Sequence, residues 1–389
     1  MLDFIYNTPT KVYFGKDKER EIGKIISSYG YKKIMLQYGQ NSIKKSGLYD
    51  RVMNSLRDSQ IEVVEMSGVE PNPKLSFVYR AIEVAKKEKV ELILAVGGGS
   101  VLDSCKYTAL GALTDDDVWD YAMGKKTPTV ALPVGVILTH SAAGSEMSSS
   151  AVITNSEKGI KKGVGTELNR CLFAVMNPEL TYTVSKYQTA CGIVDIMAHT
   201  MERYFTPVPE TPLTDEIAEG ILRSVISAGK IVMQNPEDYD ARADIMWASS
   251  LSHNGLTGAG RQNYLAVHQL EHAVSGMYDS VAHGAGLAVL FPAWAKYVYK
   301  FDTKRFSRFA RKVWGVEEID DTKASLLGIE RMSAFFIELG MPSKLSEFGI
   351  ENSKAEALAE LCTFGKTKNV TSTITLSHKE IKEIFESCM

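Results

Sequence analysis

Glu91-Leu-Ile-Leu-Ala-Val-Gly97-Gly98-Gly99-Ser100-Val-Leu-Asp103 is the stretch that decides how this 389-residue chain folds. An apolar run passes directly into three glycines, and a helical pattern begins near Ser100. A short continuous apolar run that ends at glycine suits a strand. Glycines without Cβ atoms let a backbone approach a diphosphate closely. The free N–H groups and positive end of the next helix would then face its oxygens. The same glycines would equally serve a tight strand-to-helix turn. The spacing is not GxGxxG, because position 102 is Leu, so the usual dinucleotide fingerprint is not met.

Outward from this stretch, strands are expected at 11–14, 33–38, 61–65 and 91–96. Helices are expected between them at 19–29, 42–57 and 75–87. Strands alternating with helices of 10–15 residues predict βαβ units and a mostly parallel sheet. A buried run, Val130-Ala-Leu, and Pro133 lead to a second loop of small residues, Leu138 to Glu146. Its hydroxyls and amides suit a ribose or phosphate, with Thr139 and Ser145 as candidates, and an ordinary polar loop fits as well. Asp103 would orient a bound ligand or stay solvated in the first turn of its helix. Gly159-Ile-Lys161-Lys162-Gly163 reads as a turn whose lysines either reach a cofactor or are solvated.

The loop Tyr38-Gly39-Gln40-Asn41-Ser42-Ile-Lys44-Lys45 follows the second strand. An acid at such a place accepts the 2′-hydroxyl of NAD and repels the 2′-phosphate of NADP. None is present. Gly39 leaves room, Asn41 and Ser42 can donate, and two lysines add positive charge, which favours NADP(H) over NAD(H). The lysines also fit a solvated helix start.

From about Ser185 the period changes to that of long helices, expected at 186–205, 213–234, 238–256, 262–275, 284–300, 303–314, 322–339, 353–366 and 378–388. No strand is expected beyond about 180. The chain therefore reads as a Rossmann-like α/β domain with a parallel sheet over 1–184, and an all-α domain over 185–389. Four of the seven histidines lie in two blocks of the helical half. Asp195 and His199 are four apart, so their side chains share one helix face about 5–6 Å apart. His268 and His272 repeat the spacing, and His283 opens the next helical run. A lone helical histidine more often meets a carbonyl or water than a metal. Together, however, Asp195, His199, His268 and His283 make a donor set for Fe²⁺ or Zn²⁺, with His272 one turn from His268. His140, His253 and His378 have no partner at such spacing and read as structural or solvated.

Composition excludes several classes. A net charge of -3 and a pI near 6.2 offer no electrostatic basis for binding nucleic acid or an anionic membrane. No run of about 18 apolar residues is present to span a bilayer, and the first residues lack the pattern of a signal peptide. Five scattered cysteines without CxxC spacing fit reduced thiols in the cytoplasm.

At GGGSVLD (97–103), GSE (144–146), NPELT (177–181), D-x3-H (195–199), H-x3-H (268–272) and HGAG (283–286), in that order, the chain resembles the iron-containing (group III) alcohol dehydrogenases. The segment from Tyr38 to Tyr49 is similar to their NADPH-dependent butanol dehydrogenase branch. The resemblance covers essentially the whole chain. It implies a dehydroquinate synthase-like architecture of two domains, a homodimer, and hydride transfer between NADP(H) and a small primary alcohol or aldehyde. It also implies that Asp195, His199, His268 and His283 bind the metal, that His272 lies beside the nicotinamide as the catalytic residue, and that Gly97, Gly98, Gly99, Ser100, Asp103, Thr139 and Lys161 contact the cofactor. The family loop TGSE is here Ala143-Gly144-Ser145-Glu146, which removes one hydroxyl. An NAD-dependent glycerol dehydrogenase or a dehydroquinate synthase-type enzyme is the alternative within the same fold.

Overall fold

The computed structural model describes residues 1–208 and 210–389. Contacts divide these into two units, one of Asn7–Val184 and one of Ser185–Met389 together with Met1–Tyr6. The first six residues join the helical unit through main-chain hydrogen bonds, from Leu2 N to the Gly260 carbonyl (2.9 Å) and from the Met1 amine to the Glu210 carbonyl (3.0 Å).

The Asn7–Val184 unit is a doubly wound sheet. Its strands are β1 (Lys11–Phe14), β2 (Lys33–Tyr38), β3 (Glu62–Ser67), β4 (Leu92–Gly97), β5 (Val134–Leu138) and β8 (Phe173–Met176). Their order is β1-β8-β5-β4-β2-β3, and every neighbouring pair runs parallel. Leu92 to Val96 of β4 are completely buried, as expected of a strand covered on both faces. The helices are α1 (Ile22–Ser28), α2 (Ser42–Lys45), α3 (Leu48–Asp58), α4 (Leu75–Glu88), α5 (Gly99–Ala112) and α6 (Val118–Ala122).

Strand order reverses between β2 and β4: the chain winds from β2 outward to β3, and from β4 the other way to β5. A parallel α/β sheet opens a crevice at the carboxyl ends of the strands flanking such a reversal.

Two expectations fail in this unit. The run Val130-Ala-Leu, expected to be buried, is irregular with Val130 exposed, and the strand starts only after Pro133, whose carbonyl accepts from Ile93 N (3.0 Å). The supposed turn at 159–163 belongs to an antiparallel hairpin, β6 (Ser150–Asn155) and β7 (Ile160–Gly165). Its real turn contains Gly159 at φ +61°, so Lys161 and Lys162 lie in a strand, paired with Thr154 and Ile153. The lysine pair masked the strand's apolar alternation.

The helical unit contains α7 (Lys186–Tyr204), α8 (Pro212–Gln234), α9 (Tyr239–His253), α10 (Ala266–Met277), α11 (His283–Val298), α12 (Thr303–Trp314), α13 (Asp321–Glu338), α14 (Ala355–Cys362) and α15 (His378–Ser387). All nine follow the expected periodicity to within a few residues. A two-residue-per-strand hairpin, β9 (Val370–Thr371) with β10 (Thr375–Leu376), contradicts the expectation of no strand past 180. Two pairs are too short to leave a periodic signal.

Helix α7 is the axis of the unit. Ser185 caps it, its side chain accepting from Gln188 N (3.2 Å), and every residue from Thr189 to Tyr204 is buried. A helix buried on every side lies inside a core. Polar residues on it therefore need partners from the helices around it. Among the described residues no helix is long and apolar enough to cross a membrane, and all five cysteines are buried free thiols.

Candidate metal centre and dinucleotide edge

In the helical unit, Asp195, His199 and Glu202 stand at i, i+4 and i+7 on one face of α7. Helix α10 presents His268, Glu271 and His272 at i, i+3 and i+4, and His283 is the first residue of α11. Packing brings these three helices to Asp195. Its Oδ1 lies 3.1 Å from His199 Nδ1, 3.4 Å from His268 Nε2 and 3.8 Å from His283 Nε2. The ring centroids of His199 and His268 are 4.3 Å apart, and those of His268 and His283 are 5.2 Å apart.

The glycines of the HGAG run permit this convergence. A Cβ on Gly284 would meet the Cys191 carbonyl oxygen of α7 at 2.2 Å, and one on Gly286 would sit 3.0 Å from Glu271 Cγ. Helix α11 therefore touches the backbone of α7 only because position 284 is bare.

The electrostatics suit a cation. Burial works against a charged Asp195, but His199, His268 and His283 outweigh it and hold the carboxyl well below its ordinary value. Burial lowers His199 to about 4, so its ring is neutral. Burial also opposes charge on His268, yet Glu202 and Asp195 push that imidazole up to about 9. Asp195, Glu202 and Glu271 are three buried carboxylates. The buried Arg203 guanidinium stands beside them and donates to the His199 carbonyl (2.7 Å). Acids in excess of cations, facing a carboxylate and three imidazoles, fit a divalent ion of the Fe²⁺ or Zn²⁺ kind.

His272 is half-buried at the rim, its ring 5.7 Å from that of His283 and 6.5 Å from that of His268. His253, expected to be structural or solvated, ends α9 with its ring 4.0 Å from His199. Sequence reasoning assigned no role to Glu202 or Glu271. Their signal was present in the helix spacing, but spacing does not say which imidazole a carboxylate meets.

In the sheet unit, the candidate cofactor residues gather at the strand reversal. Tyr38 of β2 pairs with Val96 of β4, which sets Gly39 beside Gly97. Thr139, just past β5, donates its N–H to the Gly97 carbonyl (3.0 Å). The three glycines differ. A Cβ on Gly97 would strike Val101 at 2.5 Å and one on Gly98 would approach His140 Cβ at 3.1 Å, whereas one on Gly99 would meet only Ala143 Cβ, at 3.8 Å. The fold itself demands Gly97 and leaves Gly99 open.

Asp103 and Ser145 are committed to each other. Ser145 Oγ donates to Asp103 Oδ1 (2.7 Å), and Val152 N donates to Asp103 Oδ2 (3.0 Å). Buried Lys106 donates to the Ser145 carbonyl (2.6 Å) and Oγ (2.9 Å) and to the Ser150 carbonyl (2.8 Å). Asp103 and Lys106 thus tie α5 to the 144–150 loop. Burial raises the Asp103 carboxyl and lowers the Lys106 ammonium. Lys161 Nζ donates to Asn72 Oδ1 (3.1 Å). Asn41 and Ser42 are exposed at the start of α2, and Lys44 Nζ lies over the rings of Tyr38 (5.4 Å) and Tyr49 (5.0 Å).

Comparison with known proteins now adds to this geometry. The family model described as iron-containing alcohol dehydrogenase matches residues 9–178, and the C-terminal model of the same family matches 189–389. The chain is 42% identical over 388 residues to NADH-dependent butanol dehydrogenase A of Clostridium acetobutylicum, covering 99% of each chain. It is 36% identical over 364 residues to NADPH-dependent aldehyde reductase YqhD of Escherichia coli, covering 92% of each. The crystal structure of NADH-dependent butanol dehydrogenase A from Thermotoga maritima superimposes with a TM-score of 0.96 at 39% identity, over 100% of this chain and 99% of the other. The chain therefore belongs to the iron-containing alcohol dehydrogenase family and is an NAD(P)-dependent oxidoreductase of alcohols and aldehydes.

Proposed function

We propose that the chain interconverts short primary alcohols and their aldehydes, using NADP(H) in preference to NAD(H) and one Fe²⁺ or Zn²⁺ held by Asp195, His199, His268 and His283. The observation that carries this reading is one carboxylate oxygen with three imidazole nitrogens within 3.8 Å of it. When bound, the ion supplies a Lewis acid for the substrate oxygen, and the nicotinamide supplies or accepts the hydride. The chain's own groups do the rest. Burial of Asp195, His199 and His268 limits competing water and strengthens charge interactions there. His272, at the rim, holds a proton on a ring nitrogen and exchanges it with the substrate oxygen, a task suited to imidazole near neutral pH. Gly97 to Ser100 and Thr139 receive the dinucleotide, while Asp103 and Ser145 brace the adjoining loop.

The preference for NADP(H) rests on the loop from Gly39 to Ser46. It has no carboxylate, and the nearby Glu65 is occupied by the Tyr38 and Tyr49 hydroxyls, each donating at 2.8 Å. The relatives' names divide between NADH and NADPH, so kcat/KM with each cofactor is the measurement, expected to be higher with NADPH.

The deciding experiment measures butanal-dependent oxidation of NADPH and NADH by protein loaded with Fe²⁺ or Zn²⁺, alongside elemental analysis. Metal-loaded protein that oxidises neither cofactor with any short aldehyde ends the proposal. In the same assay, His272→Ala keeps its metal and loses roughly 10²–10⁴-fold in kcat, with an altered pH profile. An unchanged pH profile removes its assigned role.

Gly99→Ala tests the cofactor edge. The variant folds normally, while loss of a charge-assisted contact worth about 1.5–3 kcal/mol raises the dinucleotide Kd roughly ten- to a hundredfold. Gly97→Ala instead lowers Tm, because Val101 blocks the added methyl. Equal dinucleotide binding by Gly99→Ala and wild type would place the phosphates elsewhere.

A further inference from the structure

Each of the three imidazoles assigned to the metal has its Nδ1 engaged by an acceptor from this chain. His199 Nδ1 lies 3.0 Å from the Asp195 carbonyl one turn back and 3.1 Å from Asp195 Oδ1, so this ring faces the centre through Nδ1. His268 Nδ1 meets Glu202 Oε2, and His283 Nδ1 meets Glu271 Oε2. Both glutamates are buried, Glu271 completely so. An acceptor at Nδ1 places the ring's proton there and leaves the Nε2 lone pair for a ligand. For His268 and His283, that Nε2 is the nitrogen turned toward Asp195.

We infer that Glu202 and Glu271 are positioning residues that select the tautomer and fix the ring orientation of His268 and His283, and so determine how tightly the centre holds its metal. This rests on the metal assignment under Proposed function. The two glutamates are not equivalent. Glu202 Oε1 also accepts from Val267 N in the first turn of α10, so one carboxylate joins α7 to α10 by two hydrogen bonds. Both donors need an acceptor, and the two carboxylate oxygens offer one to each. In Glu202→Gln, an amide oxygen that accepts from Val267 N turns its NH2 group toward His268 Nδ1. That nitrogen must then accept, its proton moves to Nε2, and the ligand lone pair is lost. The expected loss at position 202 is therefore one of ligand geometry as well as of affinity. Gly286 permits this arrangement, since a methyl there would press on Glu271 at 3.0 Å.

The test uses full-length protein stripped of metal and titrated with Co²⁺, whose visible absorption reports ligand number and geometry. Wild type is expected to bind one Co²⁺ per chain. Glu202→Gln and Glu271→Gln are expected to bind it 10–100-fold more weakly, with an altered spectrum at saturation for Glu202→Gln. The metal-free variants should keep their circular dichroism. A merely structural role would lower Tm and leave the saturated spectrum unchanged. Should Glu202→Gln fail to fold, Glu271→Gln, which leaves the α10 first turn intact, decides alone. Wild type that binds no Co²⁺ overturns the metal assignment itself. Wild type that binds while both variants match it in affinity and spectrum overturns only the positioning role. Two ions per chain would make Glu271 a ligand with His272 and His283, three residues whose donor atoms lie within 4.8 Å of one another, and would overturn its positioning role.

Discussion

Asp195→Asn lowers kcat/KM by about 10³-fold and removes the bound metal, while the protein stays folded. Asp195 Oδ1 is the atom on which the imidazoles of α7, α10 and α11 converge. Asparagine keeps the shape but removes the charge, and its amide hydrogens now compete for the nitrogen lone pairs that should face the ion. Stabilisation by a bound metal is worth several kcal/mol, and about 4 kcal/mol corresponds to roughly a thousandfold in rate. Folding survives because Glu202 and Glu271 still hold His268 and His283. The checks are elemental analysis, circular dichroism and kcat/KM with butanal. A variant with full metal content and kcat/KM within tenfold of wild type would show that Asp195 is not a ligand.

Gly284→Ala is the second large effect, and it acts on stability and site together. The new Cβ would lie 2.2 Å from the Cys191 carbonyl oxygen and 2.6 Å from its C and Cα. All three are backbone atoms of α7, so no rotamer change relieves the clash, and α11 has to move away. Overpacking of this kind costs about 2–3 kcal/mol, or roughly 4–12 °C in Tm for a unit of this size. Since His283 is the residue just before, the displacement also carries its Nε2 away from Asp195 and weakens metal binding. Gly286→Ala is the control for stability alone, because its methyl meets a side chain, Glu271, rather than backbone, and its metal binding is expected to weaken as well. An unchanged Tm for Gly284→Ala, measured by calorimetry on metal-free protein, would contradict the contact.

The glycine turn of the sheet and the helices described after Ser185 were legible because strand and helix periods are local properties of the chain. The hairpin at 150–165 was not. Lys161 and Lys162 in succession resemble a solvated turn, and only pairing with Ile153 and Thr154 makes them strand. Lys106, to which the sequence assigned no role, becomes a buried tie only when the 144–150 loop wraps over it.

The candidate metal centre divides the same way. Asp195 with His199, and His268 with His272, were readable from sequence because a four-residue spacing fixes a shared helix face before any packing occurs. Tertiary structure alone decided that Glu202 of α7 meets His268 of α10, that Glu271 meets His283, and that His253 lies against His199. Those contacts join residues 12 to 66 positions apart. Which faces meet is settled by where a bare glycine lets two backbones touch, and that depends on the whole packed core rather than on any local spacing.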